Sequence, residues 1–261
     1  MRKLDRFDFQ KMTRLYHFTS LESACKIISS GQLRFGKYSN QNDLIETNRV
    51  VWERTLSPDI VDDDDNLVYA EKEMRRYQQI SFAQDRVCDG VEYLGFDLHT
   101  MWGLYADKGY GVCLVFDKSK LKLSPGDYAA DVHYANLIPQ GIIIRNTTKE
   151  EIKEEIWHRK DEIFFYKRKE WEKEQEFRIV RRVVDEQDME FLDISEALSF
   201  VIICKDRSVD FLDSMFDSST YRKIRRFNKS LPVFTYEYDL DWYTLFADFM
   251  VPVWIEQCGF M

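Results

Sequence analysis

Two acidic residues and an arginine occupy alternate positions in one short stretch, WEKEQEFRIV. They are Glu174, Glu176 and Arg178, at the start of a segment rich in strand formers. Side chains two residues apart in a β-strand lie on the same face, so the three groups are predicted to face one side if strand pairing has begun at Glu174. Two carboxylates beside a guanidinium would form a polar site. The alternative is a strand edge with exposed salt bridges, which contribute little to stability and are common in a chain with 32% charged residues.

A histidine interrupts the apolar segment RLYHFT near the N-terminus. His17 lies between Tyr16 and Phe18, so its side chain is predicted to face away from both, on the side of Leu15 and Thr19. The imidazole is either a structural group satisfied within the fold or a polar group that faces a cleft. The residue types alone favour the structural role.

Two aromatic residues, Trp102 and Tyr105, are three apart in the predicted helix DLHTMWGLYAD and therefore share a face. Core packing is the simpler interpretation. The alternative is an aromatic wall against which a flat ring stacks.

Several classes of site lack a sequence signal. The chain contains none of the phosphate-loop, dinucleotide-binding, zinc-protease or hydrolase-elbow motifs. Its four histidines show no metal-ligand spacing, so no metal site is expected. The acidic run at 61–66 is predicted to be a solvated loop whose last aspartate caps the next helix, and a divalent-cation site is the less favoured alternative.

Composition favours a cytoplasmic protein with one domain, residues 1–261. The five cysteines are scattered without a pairing pattern, which is typical of reduced thiols. The net charge of 37 − 46 = −9 disfavours nonspecific binding to nucleic acid or to an anionic membrane. No apolar run approaches the ~18 residues of a membrane span.

The pattern of elements predicts an α+β fold with a mixed, bent or split sheet flanked by helices. A helix is expected between a Ser20 cap and Gly31, and a long helix or helix pair from Thr148. A further helix is expected near 66–78, and the type of the element at 241–251 is left open. The predicted strands are RLYHFT, QLRF, QISFA, YGVCLVFD, one or two edge strands in DYAADVHYANL, EFRIVRRVV, SFVIICK and VFTYEYD.

Stretches across residues 15–205 resemble a widespread uncharacterised bacterial family. Its pattern is Tyr-His-aromatic-Thr, Asn-Asp-x-x-Glu, a Ser-Phe strand, Met-Trp-x-x-Tyr-Ala-Asp and Glu-x-Glu-aromatic-Arg. The proline common after Asn-Asp in that family is replaced here by Leu44. The matching stretches are LYHFTSLESACKIISSGQLRF, NDLIE, ISF, MWGLYADKGYGVCLVFD and WEKEQEFRIV.

The opening strand, helix and Gly-x-Leu strand also resemble ADP-ribosyltransferases, especially the DNA-modifying DarT toxins. This resemblance implies an ADP-ribosyltransferase-like fold that binds NAD, with His17 on the nicotinamide-side ribose and Glu176 on its 2′-hydroxyl. Glu174 would lie near the acceptor as a base. An aromatic group for nicotinamide would come from Tyr38, whose loop position Ser39 could also fill, or from Trp102 or Tyr105. The remaining candidate NAD contacts are Thr19, Asn42 and Arg178.

The resemblance therefore implies an NAD-dependent ADP-ribosyltransferase-like enzyme, either a bacterial toxin or a phage-defence effector, with an antitoxin or chaperone as a partner. DNA, RNA, protein and a small molecule all stay open as acceptors, and the basic tracts at 177–182 and 222–229 keep nucleic acid among them. One alternative is a catalytically silent module that senses a nucleotide or a phage protein. Another is a Mg²⁺-dependent nuclease-like or structural partner that uses Asp43, Glu46, Glu174 and Glu176.

Overall fold

The chain divides into two compact units, each assembled from separate segments. Unit 1 comprises Met1–Leu33, Phe82–Lys122 and Leu192–Met261, and unit 2 comprises Arg34–Ser81 and Leu123–Phe191. The single domain expected for residues 1–261 stays a prediction. The computed structural model describes residues 12–38, 52–53, 63–88, 90–136, 142–143, 148–204, 219–238, 243–247 and 252–253.

The strands of the described residues are numbered in chain order. They are β1 Arg14–Thr19, β2 Gln32–Arg34, β3 Gly36–Lys37, β4 Trp52–Glu53, β5 Tyr77–Gln84, β6 Arg86–Cys88, β7 Val91–Tyr93, β8 Val112–Asp117, β9 Tyr128–Asp131, β10 His133–Ala135, β11 Ile142–Ile143, β12 Tyr166–Arg168, β13 Glu176–Arg182, β14 Phe191–Asp193, β15 Leu198–Cys204, β16 Val233–Tyr238, β17 Tyr243–Ala247 and β18 Pro252–Val253.

The helices are short. Within the described ranges, no helix is both long enough and apolar enough to cross a bilayer. The α-helices are α1 Leu21–Ser30, α2 Asp63–Met74, α3 His99–Tyr105, α4 Lys149–His158, α5 Lys160–Phe164 and α6 Ser219–Phe227, and 3-10 helices span Gly95–Asp97, Asp107–Gly109, Lys118–Lys120 and Lys169–Glu174.

Unit 1 contains a mixed sheet with the buried strand β8 at its centre. β8 pairs antiparallel with β1, with His17 opposite Leu114, and antiparallel with β15. β15 pairs parallel with β16, and β17 and β18 continue antiparallel. The side chains of β8 are all buried because VCLVFD is largely apolar on both faces. The predicted α+β class with a mixed sheet is therefore confirmed.

Helix α1 begins and ends where its local sequence indicates. The Ser20 side chain accepts a hydrogen bond from the backbone N–H of Ser23, and Gly31 follows in the left-handed region with φ 68°. Ala24, Ile27 and Ile28 form the buried stripe. The sequence prediction of this helix is confirmed.

The turn into β8 requires a residue without a side chain. A Cβ on Gly111 would meet the backbone oxygen of Thr19 and lie 2.8 Å from the carbonyl group of Ala106. We expect Gly111→Ala to lower the free energy of unfolding by about 1–3 kcal/mol, measured by urea denaturation, because backbone atoms cannot move aside cheaply. Gly103→Ala on α3 is the control, since its Cβ meets nothing within 4 Å. Equal stability of the two variants would contradict this packing.

Unit 2 combines short strand pairs with helices α2, α4 and α5. β13 pairs antiparallel with β9, the start of β5 pairs with β3, and β10 runs parallel to β12 with Tyr134 opposite Lys167. A buried apolar cluster joins these elements. Its members include Tyr38, Ala70, Tyr77, Ile152, Ile156, Phe164, Phe165 and Val180.

Some predicted elements have different boundaries in the structure. The expected acidic loop at 61–66 overlaps α2, which begins at Asp63, because acidic residues are favourable in the first turn of a helix. The helix expected near 66–78 ends at Met74, because Tyr77 begins β5. The segment after Thr148 is a helix pair, as predicted, but strand β12 and a 3-10 helix follow it. The element at 241–251 includes strand β17.

Candidate functional site

Unit 2 contains a buried cluster of four charged side chains, here called the carboxylate cluster: Lys167, Glu174, Glu176 and Arg178. Lys167 lies in β12, Glu174 ends a 3-10 helix, and the other two lie in β13. Their exposed fractions are 0–7%. Isolated buried charges are strongly unfavourable, so such groups have to be paired. The cluster balances two carboxylates with two cations.

Glu176 is bound by both cations. The Arg178 Nε donates to Oε1 at 2.5 Å and its Nη2 donates to Oε2 at 2.8 Å, a two-point contact. The Lys167 Nζ donates to Oε2 of Glu176 at 3.2 Å and to Oε2 of Glu174 at 2.7 Å. The remaining Arg178 nitrogen, Nη1, donates to the backbone oxygen of Phe164 at 2.5 Å. The network therefore fixes the orientation of the guanidinium and of the Glu176 carboxylate.

A left-handed residue between the two glutamates brings both carboxylates to Lys167. Gln175 has φ 43° and ψ 57°, between the 3-10 helix that ends at Glu174 and the strand that starts at Glu176. The sequence predicts both carboxylates on one strand face if pairing has begun at Glu174. That condition is not met, because the chain turns at Gln175 before the strand begins. A left-handed conformation is uncommon for a residue other than glycine, and such strain is concentrated at functional sites.

The pKa values of the two glutamate carboxyl groups are shifted in opposite directions. Burial would raise the pKa of Glu176, but the charges of Arg178 and Lys167, with hydrogen bonds from Arg178 and Ser81, hold it at about 2. Burial raises the pKa of Glu174 above its usual 4.5; Lys167 opposes this effect, and the Glu176 charge adds to it. Pairs of carboxyls with divergent pKa values are typical of acid–base sites, and structural ion-pair networks can produce the same divergence.

Four further groups surround the carboxylate cluster. The backbone N–H of Glu176 donates to the Tyr134 hydroxyl oxygen at 2.8 Å, and the Lys167 ammonium lies 4.9 Å from the centre of the Trp171 ring. Gln79 Nε2 donates to Ser81 Oγ at 3.2 Å. Among the described side chains, seven buried polar atoms have no hydrogen-bond partner, and two of them, Gln79 Oε1 and Trp171 Nε1, belong to these groups. Such atoms are rare in native proteins, and a bound ligand is one explanation for them.

Sequence reasoning missed Lys167 and Tyr134. Lys167 lies in the tract IFFYKRKE, where charges at helical spacing suggested a continuing helix. The short apolar run before it could have indicated a buried strand. Nothing in the residues around Tyr134 indicated that its hydroxyl would accept the backbone N–H at 176.

His17 lies in unit 1, on the face of β1 opposite to the buried Tyr16 and Phe18, as predicted. Its ring is half-buried and packs edge-on against Phe82, with centroids 5.9 Å apart. Thr19 is also half-buried, at the end of β1. His17 belongs to unit 1, and both glutamates belong to unit 2. The predicted roles of His17 and Thr19 in binding NAD stay predictions.

The aromatic candidates lie in or against the cores of their units. Trp102 is buried, donates its Nε1 hydrogen to the Phe96 carbonyl at 2.7 Å and stacks on Tyr236. Tyr105 is partly buried against the same core. In unit 2, Tyr38 is 3% exposed, and its hydroxyl donates to the Ile163 carbonyl at 3.0 Å. The geometry therefore assigns Trp102 and Tyr38 to core packing. The other predicted positions, Ser39, Asn42, Asp43, Leu44 and Glu46, lie outside the described residues.

The arginines of β13 form ion pairs within unit 2. Arg181 contacts Asp127 and Glu190, and Arg182 contacts Glu73. Arg181 and Arg182 of the basic tract at 177–182 are thus paired with carboxylates. In the part of the chain that the structure describes, no group of three or more His, Cys, Asp or Glu residues could hold a metal ion.

The low pKa of Glu176 has a consequence for stability at acid pH. The folded-state pKa of about 2 lies below the ordinary 4.5, so its contribution is present above pH 4.5 and lost as the pH falls towards 2. The contribution of Glu174 to stability changes with pH in the opposite direction, because its raised pKa favours protonation in the folded state. We expect the free energy of unfolding, from urea titrations, to fall across this window in the wild type. The fall should be smaller in Glu176→Gln, and identical slopes would contradict the ion pairing.

A family model described as a protein of unknown function (DUF2971) matches residues 101–179. The matched segment contains the whole carboxylate cluster. The resemblance to an uncharacterised family is confirmed for this part of the chain, and the resemblance to ADP-ribosyltransferases stays a prediction. No curated protein matches the sequence, and no solved structure matches the fold.

Proposed function

We propose that this chain is an NAD-dependent ADP-ribosyltransferase-like enzyme and that the carboxylate cluster carries its chemistry. One observation supports this most: two buried glutamates, two residues apart, share Lys167 while their pKa values shift in opposite directions. One carboxylate keeps its negative charge at every physiological pH. The other has a pKa raised above its usual value, which makes it a stronger base than an ordinary carboxylate. These are the two properties that transfer of a cationic sugar to a nucleophile requires.

The proposed reaction begins with cleavage of the bond between ribose C1′ and the nicotinamide nitrogen. The electron pair of that bond leaves with nicotinamide, which becomes neutral, and positive charge develops on the ribose. The fixed charge of Glu176 stabilises this oxocarbenium-like state in a water-poor site. A lone pair of the acceptor then bonds to C1′, and the acceptor proton passes to the carboxylate of Glu174. Atoms and charge balance without a metal ion or redox partner.

The unpartnered atoms near the carboxylate cluster are compatible with a polar ligand such as NAD. The Gln79 Oε1 atom needs a donor, and the Trp171 Nε1–H needs an acceptor. Ribose hydroxyls and the nicotinamide carboxamide offer both. Gln79 connects to the cluster through Ser81, and Trp171 connects through Lys167. The proposed cytoplasmic role is that of a bacterial toxin or phage-defence effector, with DNA, RNA, protein or a small molecule as acceptor.

A catalytically silent binding module is the second candidate function. The observation in its favour is that Arg178 and Lys167 already occupy both oxygens of Glu176. Because two cations balance two carboxylates, the ionised cluster carries no net negative charge to stabilise a sugar cation. Such a module would hold a nucleotide or a phage protein without chemistry. Binding of NAD without release of nicotinamide would identify it.

The proposal is tested by incubating the purified chain with cell lysate and with NAD labelled in its adenylate phosphate. We expect label to become attached to lysate material, and digestion with nuclease or protease then sorts the acceptor. A chelator should leave the labelling unchanged. Nucleic-acid cleavage that needs added Mg²⁺, with no labelling, would favour the nuclease alternative. If the chain neither transfers label nor releases nicotinamide, the transferase proposal is contradicted.

A further inference from the structure

We propose that Lys167 is a positioning residue that orients Glu174 and keeps it ionised to receive the acceptor proton; this inference rests on the proposed function. The Lys167 Nζ donates to Glu174 at 2.7 Å and to Glu176 at 3.2 Å. Nothing in the sequence motifs indicated this residue. Its side chain determines how the two carboxylates divide their roles.

The two glutamates depend on Lys167 to different degrees. Glu176 has two hydrogen bonds from Arg178 in addition to the one from Lys167. Within the described part of the chain, Lys167 is the cation that hydrogen-bonds Glu174. Loss of the ammonium would leave Glu176 paired with its guanidinium, whereas Glu174 would be buried beside a second carboxylate. Loss of the Lys167 charge would therefore shift the pKa of Glu174 more than the pKa of Glu176.

The titratable groups that face Glu174 come from three strands. Lys167 of β12 and Arg178 of β13 favour its ionised form, and Glu176 of β13 disfavours it. Tyr134 of β10 also faces the cluster, and burial raises its pKa well above neutrality, so its phenol stays uncharged. Without Lys167, two carboxylates would share one guanidinium. The pKa of Glu174 would then rise further, which favours the protonated form and weakens its action as a base.

The fold holds the ammonium in one place. Lys167 pairs with Tyr134 across the parallel β10 and β12 strands, and the exposed fraction of Lys167 is 6%. The Trp171 ring lies 4.9 Å from the Nζ atom, at cation–π distance. The ammonium has three donor hydrogens, so it can donate to both carboxylates at once. The arrangement is thus pre-formed before any substrate binds.

We expect Lys167→Met to move the acid limb of the pH–rate profile for ADP-ribose transfer to the acceptor upward by about 1–3 pH units. The transfer step needs ionised Glu174, so the rate rises with pH through the Glu174 pKa, and a higher pKa moves the limb to higher pH. Lys167→Arg should return the acid limb towards its wild-type pH because it keeps the positive charge. Lys173→Met is the matched control, since Lys173 is exposed on the adjoining 3-10 helix, and its profile should equal the wild type.

A second measurement separates this inference from the proposed function. Carbon-13 NMR titration of the glutamate carboxyl carbons measures the Glu174 pKa in Lys167→Met. The Glu174 signal is assigned by its loss in Glu174→Gln. This measurement does not require the protein to be enzymatically active. Lys167→Gln, which keeps a hydrogen-bond donor but no charge, replaces the methionine variant if that one does not fold. If wild-type protein releases no nicotinamide, the proposed function fails and the titration still decides the role of Lys167. An unmoved Glu174 pKa in a folded variant would overturn the inference.

Discussion

Glu176→Gln is expected to lower nicotinamide release and ADP-ribose transfer by about 10²–10³-fold, because it removes a charge that stabilises the transition state. The amide has nearly the same shape as the carboxylate, so the fold and NAD binding should be retained, at lower stability because the buried Arg178 loses its ionised partner. Release of nicotinamide measures the rate, calorimetry measures NAD binding, and circular dichroism checks the fold.

The control for Glu176→Gln is a second buried glutamate of unit 2. Glu73 is 1% exposed and forms ion pairs with Arg182 and Arg76. Glu73→Gln should disturb an equivalent ion pair while leaving the carboxylate cluster intact, so its rate should stay near that of the wild type. Unchanged turnover in Glu176→Gln, or equal losses in both variants, would assign Glu176 a structural role.

Arg178→Met is expected to lower the free energy of unfolding by about 3–5 kcal/mol, because it leaves the Glu176 carboxylate buried without its two-point partner. Methionine is apolar and of comparable length, so the effect of lost packing is kept small. Arg178 also donates to the Phe164 carbonyl, which would lose that hydrogen bond. Urea denaturation followed by circular dichroism gives the free energy.

Arg168→Met is the matched control for this change. Arg168 is 45% exposed and lies 3.8 Å from Glu170, so its loss should lower the stability by less than about 1 kcal/mol. The double variant with Glu176→Gln should recover part of the stability, because the buried charge is then removed as well. A loss below about 1 kcal/mol in Arg178→Met would show that the pair contributes little to folding.

Local signals in the sequence predict those parts of the fold that depend on neighbouring residues. The Ser20 cap, Gly31 and the apolar stripe between them specify α1, and the apolar run VCLVFD specifies the buried strand β8. The hairpin of β6 and β7 was not predicted, although its Asp-Gly pair is a strong hairpin signal and Gly90 has φ 80°. The flanking runs are short and partly charged, which hides their strand character.

The sequence predicts only part of the carboxylate cluster. Alternation within β13 correctly places Glu176 and Arg178 on one face. The convergence of Glu174 on the same lysine depends on the positive φ of Gln175, which its residue type does not indicate. Tyr38 packs against a carbonyl 125 residues away in the chain, a tertiary contact that no local pattern specifies.

The most direct test of the proposed transferase is nicotinamide release from NAD by the purified chain, with and without lysate, together with calorimetric NAD binding. We expect binding and release, with release faster when lysate supplies an acceptor. Binding of NAD with no nicotinamide released would contradict the transferase and identify a binding module. Failure to bind NAD at all would remove the ligand on which the proposal depends.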